Sequence, residues 1–158
     1  FSFGGMQRNR GVEWGFFGQA RPGLRLMGGL AWTQAKVIHA AQAAHEGRQA
    51  TGVPRWQAKL GVEWDADMAW PAAQGLTLTA HAAAASRQYL SADNALSIPG
   101  RAVIDLGARY ATRVAGRPLT LRAALANAAN RAYWTKPYFA SLAMGEPRTL
   151  RLSAALDF

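Results

Sequence analysis

Three histidines are the first place to look for chemistry in this 158-residue chain, which contains no cysteine. His39 and His45 stand in one polar, Ala-rich stretch, and His81 sits in an alternating run behind Thr77 and Thr79. Acyl-transfer chemistry would need one of them beside a serine and an orienting carboxylate. Ser86 and Asp93 follow His81, but a serine five residues along an extended segment points to the opposite face. Without thiolates, and with two histidines loosely spaced among Ala and Gln, no metal-ligand pattern emerges either. Neither an enzyme nor a resident cofactor or metal is expected. Recognition is better served. Trp134, Lys136, Tyr138 and Phe139 crowd one short segment, Arg87 and Tyr89 another, and Arg48 a third. Guanidinium groups and aromatic rings suit planar, polarised or anionic ligands through charge-assisted hydrogen bonds, stacking and cation–π contact. Trp134, Tyr138, Phe139, Arg87 and Tyr89 are therefore the candidate ligand contacts, with Tyr133 and Trp134 also fitting an interfacial aromatic belt.

Eighteen Lys plus Arg against nine Asp plus Glu leave a formal charge of +9. A basic patch would invite phosphate binding, but these cations are scattered rather than clustered. Fifteen of them are Arg, and Ala reaches 34 residues, a bias that a GC-rich coding sequence produces by itself. No nucleic-acid partner is expected.

The elements that must hold these residues follow from periodicity. Seven segments alternate apolar and polar residues. One face of the last carries Leu150, Leu152, Ala154, Leu156 and Phe158; the other carries Arg151, Ser153 and Asp157. The pattern recurs in Val12 to Ala20, Leu24 to Trp32, Trp56 to Trp64, Leu76 to Ala84, Ala102 to Tyr110 and Leu119 to Leu125. No Asp, Glu, Lys or Arg stands on any of the seven apolar faces. The Ala runs within Leu76 to Ala85 and Gln34 to Ala50 would also suit helices, which a strand reading must exclude. Strands of this length exceed the soluble norm of about 5–6 residues and match tilted strands crossing hydrocarbon. An Arg near the bilayer midplane of such a face costs roughly 2–4 kcal/mol, which is a physical reason to purge charge from it. No apolar run is long enough for a membrane helix, and a barrel needs none.

Connections alternate in length. Arg21-Pro22-Gly23 and Val114 to Pro118 are tight, Asp65 to Gly75 is intermediate, and Ile38 to Gly52, Leu90 to Gly100 and Trp134 to Glu146 are long. Outer-membrane barrels have short periplasmic turns and longer extracellular loops. The expected fold is all-β: an antiparallel up-and-down meander of about seven long strands forming the C-terminal portion of a larger transmembrane β-barrel. With long loops outside, the first strand starts on the extracellular side and the last ends at Phe158 in the periplasm. A native barrel starts in the periplasm, so residues 1–158 are expected to be a C-terminal piece of one.

Four stretches resemble the barrel end of TonB-dependent outer-membrane receptors, in particular the siderophore receptors. Gly145-Glu146-Pro147-Arg148-Thr149 and the terminal Phe158 resemble the family's closing strand. Asn127-Ala128-Ala129-Asn130-Arg131-Ala132-Tyr133-Trp134 resembles its penultimate motif, with Ala128 where Leu is usual. Ile98-Pro99-Gly100 with Asp105 and Tyr110, and Arg10-Gly11-Val12-Glu13, resemble two further strand openings.

The resemblance implies a barrel of about 22 strands plugged by an N-terminal domain, neither plug nor TonB-coupling motif falling within residues 1–158. It implies a ferric siderophore as ligand, TonB as partner through the missing N-terminal part, a lipid bilayer, the Gram-negative outer membrane and a monomer when complete. It makes Phe158 the signal read by the barrel-assembly machinery, with an interfacial anchor as the plainer role. The row Arg55, Lys59, Arg101, Asp105, Arg109, Arg122 and Arg151 would face the lumen, bonding the plug or water. The alternative is a barrel without transport, such as a porin-like pore, an adhesin or a hydrolase.

Overall fold

The computed structural model describes residues 5–135 and 142–157. Seven long strands form one sheet: β1 (Met6–Arg21), β2 (Leu24–His39), β3 (Trp56–Asp65), β4 (Leu76–Ala85), β5 (Arg101–Val114), β6 (Arg117–Ala126) and β7 (Thr149–Leu156). Each pairs antiparallel with the next, so the sheet is the expected meander. The Ala-rich run Leu76–Ala85 is a strand, and the only helical turn between Gln34 and Ala50 is the 3-10 piece Ala43–His45.

Register aligns the faces. Gly18, Leu26, Val62, Ala80, Leu106, Leu125 and Leu150 form one rung across all seven strands. From β2 to β7 the next rung runs Arg25, Glu63, Thr79, Gly107, Ala124, Arg151. Because side chains alternate, the seven apolar faces land on one side, leaving a few apolar residues such as Phe17, Met27 and Val103 on the other. The apolar side stays uncovered: Trp14 is 63% exposed and Leu152 72%. The chain's surface is 11176 Å², where a globular protein of its mass would show about 7,700 Å². A single sheet with an apolar side this open is a wall of something larger, and hydrocarbon is its natural cover.

Aromatics mark two levels on that side. Trp32 pairs Trp56 with rings 6.4 Å apart towards the loop end. Trp64 meets Trp70 edge-on at 5.4 Å at the turn end, where Tyr110 also lies opposite Leu76 and Leu121. Trp56 to Trp64 spans about 26 Å of strand at about 3.3 Å per residue. Tilted by about 40°, that is about 20 Å of height, near the ~25 Å apolar band of an outer-membrane barrel.

The turn end is tight. Ala115 and Gly116 (φ 52° and 80°) make a two-residue turn between β5 and β6, the conformation that matches strand twist. Residues 66–75 form the intermediate connection through the short 3-10 pieces Ala66–Met68 and Pro71–Ala73. At the other end the structure departs from the periodicity. β1 and β2 run well past Val12 and Thr33, pairing from Gln7↔Val37 to Gly11↔Thr33 as a hairpin that projects beyond β3. Gln34 and Lys36 replace apolar residues on the Trp32 side, which ends the hydropathy signal but not the backbone pairing.

Candidate functional site

The loop end is built from backbone bonds between loops. Residues 47–55 fold back along the projecting part of β2: Val37 N–H donates to the Arg48 carbonyl (3.0 Å), Ala50 N–H to that of Ala35 (2.8 Å) and Thr33 N–H to that of Arg55 (2.8 Å). The next loop closes on itself by pairing Gln88–Tyr89 with Ser97–Ile98. Asn94, in the left-handed region at φ 60°, ties the two loops together. Its Oδ1 accepts the Gln49 N–H and its Nδ2 donates to the Gln49 carbonyl, both at 2.8 Å. Gly52 N–H adds a bond to the Tyr89 carbonyl at 2.8 Å. Asp93 accepts the Ala95 N–H (3.0 Å). The Ser91 hydroxyl and that N–H hold its carboxyl below the usual carboxylate range.

The third loop is knotted at Asn127. This residue has φ 47° and is 1% exposed. Its Nδ2 donates to the carbonyls of Arg131 (2.8 Å) and Glu146 (2.9 Å), and its Oδ1 accepts the Arg131 N–H (2.9 Å). Its own N–H donates to Asp105 Oδ1 at 2.7 Å. The Tyr133 ring lies where a Gly145 side chain would be, so only glycine fits there. Arg101 stands 5.7 Å from the centre of that ring and reaches the Trp134 carbonyl at 3.5 Å. Glu146 pairs with Arg151 on β7. The two motifs that carried the strongest resemblance are thus one contact unit.

Of the candidate ligand residues, Trp134 is half-exposed in a two-residue pairing with Ala143–Met144, beside Arg101. Arg87 is exposed, and its backbone packs against Gly100, next to Arg101. Arg101 therefore brings Arg87 and Trp134 to one stretch of rim. Tyr89 is half-buried and works through its carbonyl as part of the loop staple. Tyr133 belongs to the loop knot rather than an aromatic belt. Tyr138, Phe139 and Phe158 lie outside the described residues. Periodicity and composition did not single out Asn94; its available signal was an Asn, tolerant of the left-handed region, within Ser91-Ala92-Asp93-Asn94.

The polar face carries a second network, near the turn end. Arg25 grips Asp65 with both terminal nitrogens (2.7 and 2.9 Å) and Glu63 with Nε (3.1 Å). The Thr77 hydroxyl donates to Asp65 (3.0 Å), and Arg109 donates to Thr77 (3.2 Å). Within the described residues Arg101 contacts Tyr133 and Trp134, Arg109 bonds Thr77, Arg151 pairs with Glu146 and Asp105 accepts the Asn127 N–H. Lys59 and Arg122 remain exposed on this face. A recess of about 620 Å³ lies on it, lined among others by Glu13, Met27, Lys59, Gly61, His81 and Asp105. Ser86 closes the loop, its Oγ accepting the Trp56 N–H at 3.0 Å, and is not among the residues that line this recess.

Residues 1–128 match the family described as TonB dependent receptor-like, beta-barrel. Over its whole length the chain is 35% identical to the ferrichrome receptor FcuA of Yersinia enterocolitica, covering 21% of that protein. It superposes on BauA, the ferric preacinetobactin receptor of Acinetobacter baumannii, with a TM-score of 0.89 and 46% identity, over 98% of this chain and 23% of that one. The siderophore receptor PiuA from the same organism shares the fold at a TM-score of 0.79 and 22% identity, over 95% of this chain and 22% of that one. The chain thus spans between a fifth and a quarter of these relatives. Such receptors are transporters of the Gram-negative outer membrane, not enzymes. A charge-free apolar side, a polar side, alternating turns and loops and the match over residues 1–128 agree: this chain belongs to the TonB-dependent receptor β-barrel family.

Proposed function

We propose that this chain is the C-terminal wall of a receptor that takes up ferric siderophores, with its loop end extracellular and its polar face lining the lumen. The observation that carries this reading is the whole-length similarity, above 30% identity, to two proteins named as ferrichrome and ferric preacinetobactin receptors. The geometry fits the task. A stiff sheet carries stapled loops at one end, and the rim there presents Arg87, Arg101 and Trp134 together. Cationic and aromatic groups on a fixed frame can grip a chelate without first being ordered themselves. Tyr138 and Phe139 continue the Trp134 segment and complete the candidate contacts. Energy from TonB enters through parts of the receptor outside residues 1–158. Phe158 serves as the terminal residue by which assembly machinery pairs the last strand with an exposed sheet edge.

The test is radioiron uptake by cells whose only ferric-siderophore receptor is the complete protein, offered a hydroxamate and a catecholate chelate separately. TonB-dependent uptake of one class is expected. The Arg87→Ala/Trp134→Ala double variant should need roughly tenfold more chelate for half-maximal uptake, the size of about one charge-assisted contact, at unchanged receptor levels. Uptake that persists without TonB, or that ignores the receptor's presence, contradicts the proposal.

A further inference from the structure

Three arginines converge on the polar face where the sheet meets its loops. Gln57, Ala85 and Arg101 form the outermost rung shared by β3, β4 and β5. One step further, Ser86 N–H donates to the Trp56 carbonyl (2.9 Å) and Ser86 Oγ accepts the Trp56 N–H (3.0 Å). The register therefore continues and sets Arg87 opposite Arg55. Both share the parity of Gln57, Lys59 and Ala85, which is that of the polar face. Opposed positions lie about 5 Å apart at Cβ, and the diagonal from Arg87 to Arg101 is about 7–8 Å. Gly100 keeps the approach close: a side chain there would meet the Ala85 carbonyl at 2.9 Å and the Arg87 backbone nitrogen at 3.4 Å.

Like charges so placed repel, and no carboxylate answers them. Arg55 and Arg87 are exposed, and among the described residues neither has an ion pair or a side-chain hydrogen bond. Their strands are interior, β3 lying between β2 and β4 and β4 between β3 and β5, so this is not the effect of a sheet edge. Arg101 meets the Tyr133 ring and the Trp134 carbonyl, neither of them an anion. The acids nearby are engaged elsewhere. Asp105 accepts the Asn127 N–H, Glu146 pairs with Arg151, Asp93 accepts the Ala95 N–H and Glu46 that of Ala40. Glu13 stands on the Gln57 rung but two strands away. The Thr33 N–H bond to the Arg55 carbonyl and the Ser86 clasp on Trp56 fix the frame, so an incoming anion finds the guanidinium groups already placed. Half-exposed Trp134 adds a flat aromatic face beside Arg101. Guanidinium groups take oxygen anions on their N–H forks and stack on electron-rich rings. A catecholate offers both the anion and the ring; a neutral hydroxamate chelate offers neither.

We infer that Arg55, Arg87 and Arg101 form a charge filter at the mouth of the lumen, selecting ferric chelates with anionic catecholate donors over neutral hydroxamate chelates. This rests on the reading of the chain as part of a ferric-siderophore receptor and names the class of chelate. The probes are two synthetic radioiron chelates on one tripodal scaffold, a trianionic tris-catecholamide and a neutral tris-hydroxamate, bound to the complete receptor in detergent. The trianionic chelate should bind more tightly, with a margin that shrinks as salt rises. A charge-assisted contact is worth about a tenfold factor or more. Arg55→Gln/Arg87→Gln should thus lower the preference for the trianionic chelate at least about tenfold, and Arg55→Lys/Arg87→Lys should restore most of it. Removing two polar-face charges nearer the turn end, in Arg113→Gln/Arg122→Gln, should leave the preference where it was. Equal or tighter binding of the neutral chelate overturns the filter and leaves the receptor reading standing; binding of neither chelate overturns both. An unchanged preference in Arg55→Gln/Arg87→Gln, with a lowered urea midpoint, assigns the arginines to partners inside the complete receptor and overturns the filter. Displacement of the trianionic chelate by ferric citrate at matching concentration assigns the cations to carboxylate donors and overturns the catecholate assignment.

Discussion

Asn127 does the work of a covalent clip with one carboxamide. It joins the end of β6 to Arg131 and to Glu146 just ahead of β7, while its N–H satisfies Asp105 on β5. Removing a buried partner leaves the remaining groups desolvated and unpaired, at about 1–3 kcal/mol each. Asn127→Ala should therefore lower barrel stability by about 2–4 kcal/mol in urea unfolding and open residues 127–148 to protease. Asn94→Ala should behave differently, because its bonds join two surface loops. Faster cleavage in residues 40–55 and 86–100, with an unchanged unfolding midpoint, is the expected outcome. Asp93 adds a pH dependence to that loop. Its carboxyl is held low by Ser91 and the Ala95 N–H, so the stabilisation is present above the unfolded value near 4 and is lost as pH falls through the lowered one. Hydrogen exchange at Ala95, corrected for intrinsic rates, should stay protected at neutral pH and lose protection only in acid. The spelling of the Asn127 motif was visible in the sequence, but its target was not, since the Glu146 carbonyl is reached only through the fold. The same holds for Tyr133, whose ring lies over Gly145 and beside Arg101.

Strands were the most legible elements, because a two-residue period with one uncharged face has few alternative readings. The rungs from Gly18 to Leu150 confirm phases that each strand offered separately. Where hydropathy stopped carrying information, so did the reading: in the pairing of Met6–Gly11 with Thr33–His39, Arg8, Arg10, Gln34 and Lys36 stand where the apolar face would continue, while Ala35 on the other face is buried and bonded to the loop at Ala50. The loops at that end were harder still, being held by backbone bonds that leave no periodic trace. Face assignment makes an asymmetric prediction. Leu106→Arg or Leu121→Arg places a charge against hydrocarbon and should cost about 2–4 kcal/mol near the midplane. Arg122→Leu, from the exposed polar face, should leave membrane insertion nearly unchanged. Heat-modifiable mobility of the complete receptor, read with urea titration, separates the two sets; equal tolerance would mean the faces are reversed.

At the scale of the molecule, the wall has two open edges, β1 and β7, each a row of unpaired backbone groups. Such edges recruit other strands, so residues 1–158 expressed alone should aggregate, while the same strands inside a closed barrel should not. Deleting Phe158 should reduce assembled receptor in cells far more than it weakens receptor already folded in detergent; equal losses would make Phe158 only an anchor. The central claim is that every second residue of this sheet faces lipid. Since residues 1–158 contain no cysteine, single cysteines can be placed in turn at Val103, Ile104, Asp105, Leu106, Gly107 and Ala108, in a complete receptor freed of any other cysteine. Spin labels there, in reconstituted bilayers, report contact with apolar oxygen or with a water-soluble nickel chelate. Oxygen contact should peak at 104, 106 and 108 and fall at 103, 105 and 107. A flat profile, or one with the opposite phase, would contradict the account.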